Sequence, residues 1–123
     1  MIVIDHNDKR PIYEQIAERF RELILCGALE PNEKLPSVRA LAVELSINPN
    51  TIQRALSLLE QDGFIYSVKG VGNFVREGEH LWKKQREWLL AEFENYVKKC
   101  VKQGISREEL MRRLVAAAGE VKL

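Results

Sequence analysis

Two short amphipathic segments, residues 37–45 and 48–61, follow each other with almost no chain between them, and this spacing constrains the fold most. Ser37 is a good N-cap for the first segment, because its side chain can accept a hydrogen bond from a free N–H group of the first helical turn. Asn48 can cap the second segment, and Pro49 suits the first helical position, where no N–H group is needed. Two helices joined by so tight a turn predict a helix-turn-helix.

The next segment, FIYSVKGVGNFV at residues 64–75, has the pattern of a β-hairpin. Its two β-prone runs flank Gly70 and Gly72, and glycines between such runs favour a tight turn. A hairpin directly after the second helix of a helix-turn-helix is the wing of a winged helix. The predicted fold class is therefore mainly α with a small β-hairpin.

The chain before the helix-turn-helix predicts one more helix and two irregular segments. Apolar residues recur at helical spacing from Pro11 to about Cys26, which indicates an amphipathic helix. Residues 2–4 are β-prone and predict a leader or an edge strand. Residues 28–36 contain two prolines and no periodicity, so we expect an extended connector there.

The second helix of the pair has an outer face suited to DNA. Its inward positions are apolar, and its outward positions carry few charges and no acid: Asn50, Gln53, Arg54 and Ser57. Arginine can bond in bidentate fashion to guanine, and asparagine or glutamine to adenine, in the major groove. Taken alone, such a face is more often simply solvated, but its place between a tight turn and a wing favours DNA recognition.

Two further places are suited to phosphate contact. Ser37 and Arg39 lie in the first turn of their helix, where free N–H groups and a guanidinium could together hold a phosphate. Lys69 lies at the tip of the predicted hairpin, beside Gly70. The simpler interpretations are a plain N-cap for Ser37 and an idle surface lysine for Lys69.

The overall charge argues against nucleic acid. The chain has a net charge of +1, with 9 basic and 11 acidic residues in 1–78 and 10 basic and 7 acidic residues in 79–123. Nucleic-acid-binding domains usually carry a strong basic excess. DNA binding therefore depends on local placement of a few cations, and a winged helix that binds RNA or protein remains an alternative.

Residues 27–75 resemble the DNA-binding domain of the GntR family of bacterial regulators. The resemblance rests on LPSVR at 35–39, NPNT at 48–51, RAL at 54–56 and GVGNFV at 70–75. The PIYEQI opening at 11–16 and the short tail look most like the YtrA-like subfamily. The resemblance implies DNA contacts at Ser37, Arg39, Asn50, Thr51, Gln53, Arg54, Lys69 and Gly70.

The chain departs from the family pattern at a few positions. Asn32 stands where the family often has glycine, and asparagine tolerates the left-handed conformation. Pro49 and Gln53 stand where some relatives have arginine, so the operator sequence stays open.

The remaining residues predict a helical tail. We divide the chain into a winged-helix domain at 1–78 and a tail at 79–123, with helices over 81–103 and 106–119. One DNA-binding module covers few base pairs, so specific sites usually need two modules. The tail is too short for a separate monomeric core, and the resemblance implies that it dimerises, for which we select Trp82, Leu89, Phe93, Tyr96, Val97, Leu110 and Leu114. An amphipathic membrane anchor is the alternative, although Glu87, Glu92 and Glu94 on its polar face argue against it.

The sequence thus predicts a transcriptional regulator that binds a palindromic operator as a homodimer. Repression, control of a transporter operon and an unidentified small-molecule effector are implications of the resemblance alone. An enzyme is the competing class, but GVG at 70–72 lacks the third glycine of a dinucleotide site, and His6 and His80 are isolated. We predict no cofactor, no metal and no membrane span.

Two further expectations come from the sequence. With no signal-peptide pattern, we expect a cytoplasmic protein. Cys26 and Cys100 are predicted to be buried thiols.

Overall fold

The computed structural model describes residues 2–120. Within these residues the chain forms, in order, α1 (Ile12–Leu25), α2 (Val38–Leu45), α3 (Pro49–Gln61), β1 (Ile65–Val68), β2 (Gly72–Val75), α4 (Glu79–Lys102) and α5 (Arg107–Glu120). The two strands pair as an antiparallel hairpin, from Ile65 opposite Val75 to Val68 opposite Gly72. The predicted fold class, a mainly helical winged helix-turn-helix followed by two tail helices, is confirmed.

The first compact unit runs up to Glu87, further along the chain than the boundary predicted after residue 78, and the second begins at Trp88. The first turns of α4 belong to the first unit because Leu81 is buried there. The Lys84 ammonium also donates to the Asp62 carbonyl at 3.1 Å, and the Gln85 amide donates to the Ile24 carbonyl at 3.0 Å. We refer to residues 2–87 as the winged-helix unit and to residues 88–120 as the tail.

The core of the winged-helix unit lies between α1, α3 and the hairpin. Apolar residues three or four positions apart on α1 meet the inward face of α3, and the largest fully buried side chains are Phe20, Ile16, Ile24, Leu41, Ile52, Leu56, Leu59, Ile65 and Val75. The predicted inward positions of α3 are all buried. Burial of these side chains fixes which face of α3 points outward.

The leader is not a strand. Residues 2–4 form no β-structure, although Ile2 is buried. Gln15, a buried polar residue of α1, holds the leader in place because its amide oxygen accepts from the Asp5 N–H group at 3.1 Å and its amide nitrogen donates to the Arg10 carbonyl at 3.1 Å. Hydrogen bonds from Arg10 lower the pKa of the Asp8 carboxyl below its usual value.

The connector before α2 pairs with the wing, which the sequence did not predict. The Asn32 N–H group donates to the Val75 carbonyl at 2.8 Å, the Val75 N–H group to the Glu33 carbonyl at 2.9 Å, and the Leu35 N–H group to the Asn73 carbonyl at 2.9 Å. Asn32 adopts the left-handed conformation, with a φ of 66°. Residues 32–35 therefore extend the hairpin on its β2 edge.

The tail differs from the winged-helix unit in its burial. Among the described residues from 88 to 120, none is buried. Cys26, just after α1, is exposed and Cys100 is half-buried, so the expectation of two buried thiols is wrong for both cysteines. Over residues 2–120, no helix has the combination of length and apolar character that crossing a bilayer requires.

Candidate nucleic-acid interface

The outward face of α3 carries the polar side chains that the sequence placed there. Asn50, Gln53, Arg54 and Ser57 are exposed, and Thr51 is half-buried. The Asn48 side chain accepts from the Asn50 N–H group at 2.8 Å, which confirms the predicted cap. The Gln53 amide donates to the Ser57 hydroxyl at 3.2 Å, one turn further along the same face. The face thus offers amide, hydroxyl and guanidinium groups to a ligand.

The charge on α3 is distributed unevenly. Residues 45–59 contain no acidic residue, and Arg54 is the charged residue in that stretch. The acids Glu60 and Asp62 lie at the other end of the helix, where Glu60 accepts from the Ser67 hydroxyl at 2.7 Å and Asp62 pairs with Arg21 at 3.4 Å. The first three turns of α3 are therefore locally cationic, although the domain as a whole is not.

Arg54 is held by an aromatic residue from α1. Its guanidinium carbon lies 3.9 Å from the centroid of the Tyr13 ring, over the ring face. Tyr13 stands within PIYEQI at 11–16 but carries no local sequence signal of a role in DNA binding. A single sequence gives no signal that would join two residues so far apart.

The start of α2 lies next to the start of α3. The Ser37 hydroxyl oxygen accepts from the Ala40 N–H group at 3.0 Å, so Ser37 is the N-cap that the sequence predicted. Arg39 is exposed, and it lines a shallow apolar depression together with Val43 and Pro49. The remaining free N–H groups of this first turn, with Arg39 beside them, are suited to a phosphate.

The wing tip presents one cation on a tight turn. Lys69 is exposed, and Gly70 has a φ of 77°, a conformation that side chains other than glycine rarely adopt. Gly72 has a φ of 143°, which side chains other than glycine also rarely adopt, so the backbone conformation at this position favours glycine. The predicted DNA-contacting residues thus fall on three elements of one unit: the start of α2, the face of α3 and the wing tip.

The residues selected for dimerisation lie on the tail helices and the start of α4. Trp82, Leu89, Phe93, Tyr96 and Leu114 are exposed, and Val97 and Leu110 are half-buried. Over residues 2–120, no three histidine, cysteine or acidic side chains form a group that could hold a metal ion.

Three helices followed by a hairpin, with a polar face free of acids over the first three turns of the third helix, define the winged helix-turn-helix class of DNA-binding proteins. Within that class the chain belongs to the gntR family of bacterial regulatory proteins, whose family model matches residues 12–75. The resemblance that the sequence motifs indicated is thereby confirmed.

Individual relatives agree with this assignment. The chain is 46% identical over 77 residues to the HTH-type transcriptional repressor YtrA of Bacillus subtilis; the match covers 63% of this chain and 59% of YtrA, so it spans little more than half of that relative. A GntR family transcriptional regulator from Listeria monocytogenes is similar in structure, with a TM-score of 0.62, 34% identity and coverage of 97% of this chain and 100% of that one.

Some of the similar structures are complexes with DNA. The DNA-binding domain of AraR, solved in complex with operator ORE1, has a TM-score of 0.53 and 29% identity to this chain, and covers 61% of this chain and 92% of its own. The family and these relatives are transcriptional regulators, so the chain is a DNA-binding regulator and not an enzyme.

Proposed function

We propose that this protein is a repressor that binds a palindromic operator as a homodimer, with α3 in the major groove. The observation that carries the proposal is the exposed, acid-free face of α3 between Asn50 and Ser57. Side chains of this kind match the base edges of the major groove, where Arg54 pairs with guanine and Asn50 or Gln53 with adenine. A repressor on such a site acts by excluding RNA polymerase from the promoter, as the family resemblance implies.

The other predicted contacts position α3 on the duplex. One phosphate is held at the start of α2 by Ser37, Arg39 and the free N–H groups there. Thr51 at the start of α3 faces the sugar-phosphate backbone of the DNA. Lys69 and Gly70 at the wing tip meet a phosphate or the minor groove beside it. Phosphate contacts of this kind fix orientation and carry no sequence information directly.

In this proposal the tail pairs two copies of the chain, so that the dimer carries two DNA-binding modules. Leu89, Phe93 and Tyr96 are 55%, 48% and 62% exposed, which is unusual for large side chains along a single helix. Contiguous exposed apolar surface marks interaction sites, and a twofold dimer places two α3 helices on two half-sites of a palindrome. Trp82, Val97, Leu110 and Leu114 complete the proposed dimer surface.

The cellular location, the regulated genes and the effector are proposed from the family resemblance. Access to chromosomal DNA requires a cytoplasmic location, and the resemblance suggests a transporter operon as the regulated unit. A small-molecule effector remains a prediction of the resemblance, without an assigned chemistry.

The test is an electrophoretic mobility shift on the region upstream of the protein's own gene, with wild type, Arg39→Ala and Arg54→Ala. We expect wild type to bind this duplex at least about a thousandfold more tightly than a random duplex, as specific regulators do. Arg39→Ala should weaken binding to both duplexes, because a phosphate contact does not depend on sequence, whereas Arg54→Ala should weaken mainly the specific complex. Affinity should also fall steeply with salt, because phosphate contacts release counterions.

Arg112→Ala is the matched control, because it removes the same charge from an exposed position on α5. It should leave both affinities unchanged. The proposal is wrong if wild type binds the upstream region no better than random DNA, or if a structured RNA competes better than the operator. The dimer is wrong if sedimentation gives the monomer mass of 14.2 kDa at micromolar concentration.

A further inference from the structure

The stack of Arg54 on Tyr13 leaves the hydrogen-bonding capacity of the arginine free. The guanidinium carbon lies over the ring, 3.9 Å from its centroid. An N–H bond directed into the ring would hold this carbon further away, so the guanidinium places its face on the ring. The five N–H donors of a guanidinium all point outward in its plane. Stacking therefore restrains the side chain while the donors stay available to a ligand.

No acid competes for these donors within the described part of the chain. The ion pairs found over residues 2–120 involve other cations, among them Arg10, Arg19 and Arg21, and do not include Arg54. Arg54 is exposed on the outward face of α3. Because Arg54 is exposed and has no acidic partner among these residues, its N–H donors are available to a ligand such as DNA.

Tyr13 is itself fixed by its surroundings. It is half-buried in the first turn of α1, and its hydroxyl donates to the Glu14 carboxylate at 3.2 Å. Along the same helix, Ile16 and Phe20 are fully buried in the core that α1 shares with α3. The ring is therefore carried by a rigid element and does not depend on a loop.

We propose that Tyr13 is a positioning residue for base recognition, which holds the Arg54 guanidinium in the orientation that pairs with guanine in the major groove. The inference rests on the proposed operator binding and adds a residue that does not itself touch DNA. Arginine has many rotamers, and fixing them on binding costs affinity. A ring that restrains the arginine side chain before binding lowers this cost. It also limits which base edges the Arg54 guanidinium can reach.

The test uses a duplex that the wild-type protein selects from a pool of random sequences. Binding is measured by fluorescence anisotropy for wild type, Tyr13→Leu, Arg54→Ala and the double variant. We expect Tyr13→Leu to weaken binding roughly two- to fivefold, the range for a cation–π contact near a surface. In the Arg54→Ala background the same change should have less than about a twofold effect, because its target is gone.

Two conservative replacements keep the shape of the ring and guard against a folding defect. Tyr13→Phe retains the negative ring face and should bind within about twofold of wild type, while pentafluorophenylalanine at position 13 reverses the ring quadrupole and should bind several-fold more weakly than Tyr13→Phe. Circular dichroism melts of each variant verify the fold. Equal affinity of the two ring variants would overturn the proposal.

Sequence selection provides a readout that a merely structural role would not move. Selection repeated with Tyr13→Leu should lose preference at the same base pairs that Arg54→Ala affects, and at no others. The ring does not position Arg54 if Tyr13→Leu binds more tightly than wild type. The same conclusion follows if Tyr13→Leu lowers the affinity equally in the presence and in the absence of the Arg54 side chain. If wild type selects no sequence at all, operator binding fails and the positioning role fails with it; normal selection with unaffected Tyr13 variants overturns the positioning role alone.

Discussion

The winged-helix unit and the tail both consist largely of helices, but the helices of the first bury apolar side chains and those of the tail do not. In the winged-helix unit, Phe20, Ile16 and Leu59 are fully buried, while none of the described residues from 88 to 120 is buried. Helix stability in proteins comes mainly from packing an apolar face, and isolated helices of this length are marginal in water. The first unit thus contains what it needs to fold, and the tail needs a second surface.

Separating the two regions should give the largest effect. A fragment of residues 1–87 should fold cooperatively as a monomer, because the compact unit that ends at Glu87 contains the whole buried core. A fragment of residues 88–123 should be unfolded when dilute and gain helix as its concentration rises, since in the proposed dimer a second copy buries its apolar side chains. Circular dichroism across a concentration series measures both. Helix content in the tail fragment that is independent of concentration would contradict the comparison.

The same substitution in both regions should have different consequences. Phe20 is 0% exposed and Phe93 is 48% exposed. Phe20→Ala should lower the free energy of unfolding of the winged-helix unit by about 3–5 kcal/mol, since it leaves a cavity. Phe93→Ala should leave that stability nearly unchanged and raise the dissociation constant of the proposed dimer. Urea denaturation and sedimentation equilibrium separate the two effects, and equal losses of stability would show that the tail shares the core.

A pair of helix caps gives a smaller contrast. The Ser37 oxygen accepts from the Ala40 N–H group at 3.0 Å, and the Ser106 oxygen accepts from the Glu109 N–H group at 3.2 Å. Ser37→Ala should cost the winged-helix unit about 1 kcal/mol, the usual value of such a cap. Ser106→Ala should leave the protection of α1 and α3 amides unchanged, because its helix lies in the tail. Native-state hydrogen exchange resolves the two regions, and a loss of α1 protection in Ser106→Ala would break the contrast.

The smallest expected effect is pH-dependent. Arg10 lowers the pKa of Asp8 in the folded protein. A carboxyl whose pKa is depressed on folding stabilises the protein above its unfolded pKa of about 3.9, and this stabilisation is lost as the pH falls through the folded value. Wild type should therefore exceed Asp8→Asn in stability at pH 5–7, with a margin that shrinks below about pH 4. Urea denaturation at each pH measures the margin, with Glu108→Gln in the tail as the control; a constant margin would show that Asp8 acts by another route.

Local signals in the sequence were sufficient for most of the fold. Caps at Ser37 and Asn48, the period of α3 and the glycines of the wing depend on neighbouring residues, so their structural consequences could be predicted. The pairing of residues 32–35 with β2 depends on backbone groups, which carry no residue signature. The attachment of α4 through Lys84 and Gln85 also escaped prediction, because long polar side chains bond wherever tertiary structure brings an acceptor.

The candidate site was predictable to the same extent. Local sequence patterns indicate the outward face of α3, the pair of Ser37 and Arg39, and Lys69 at the wing tip. The family resemblance then implies DNA contacts at these same residues. Tyr13 lies 41 residues before Arg54 in the sequence, and only the packing of α1 on α3 brings the two together. Whether each predicted residue contacts DNA stays a prediction.

The hydrogen bonds between the connector and β2 have a mechanical consequence. Because residues 32–35 are hydrogen-bonded to β2 and lead through Pro36 into Ser37, the wing and the start of α2 are linked by backbone hydrogen bonds as well as by the chain. On the proposed operator, we expect part of the energy of bending the duplex or narrowing its groove to fall on the DNA and to depend on its sequence.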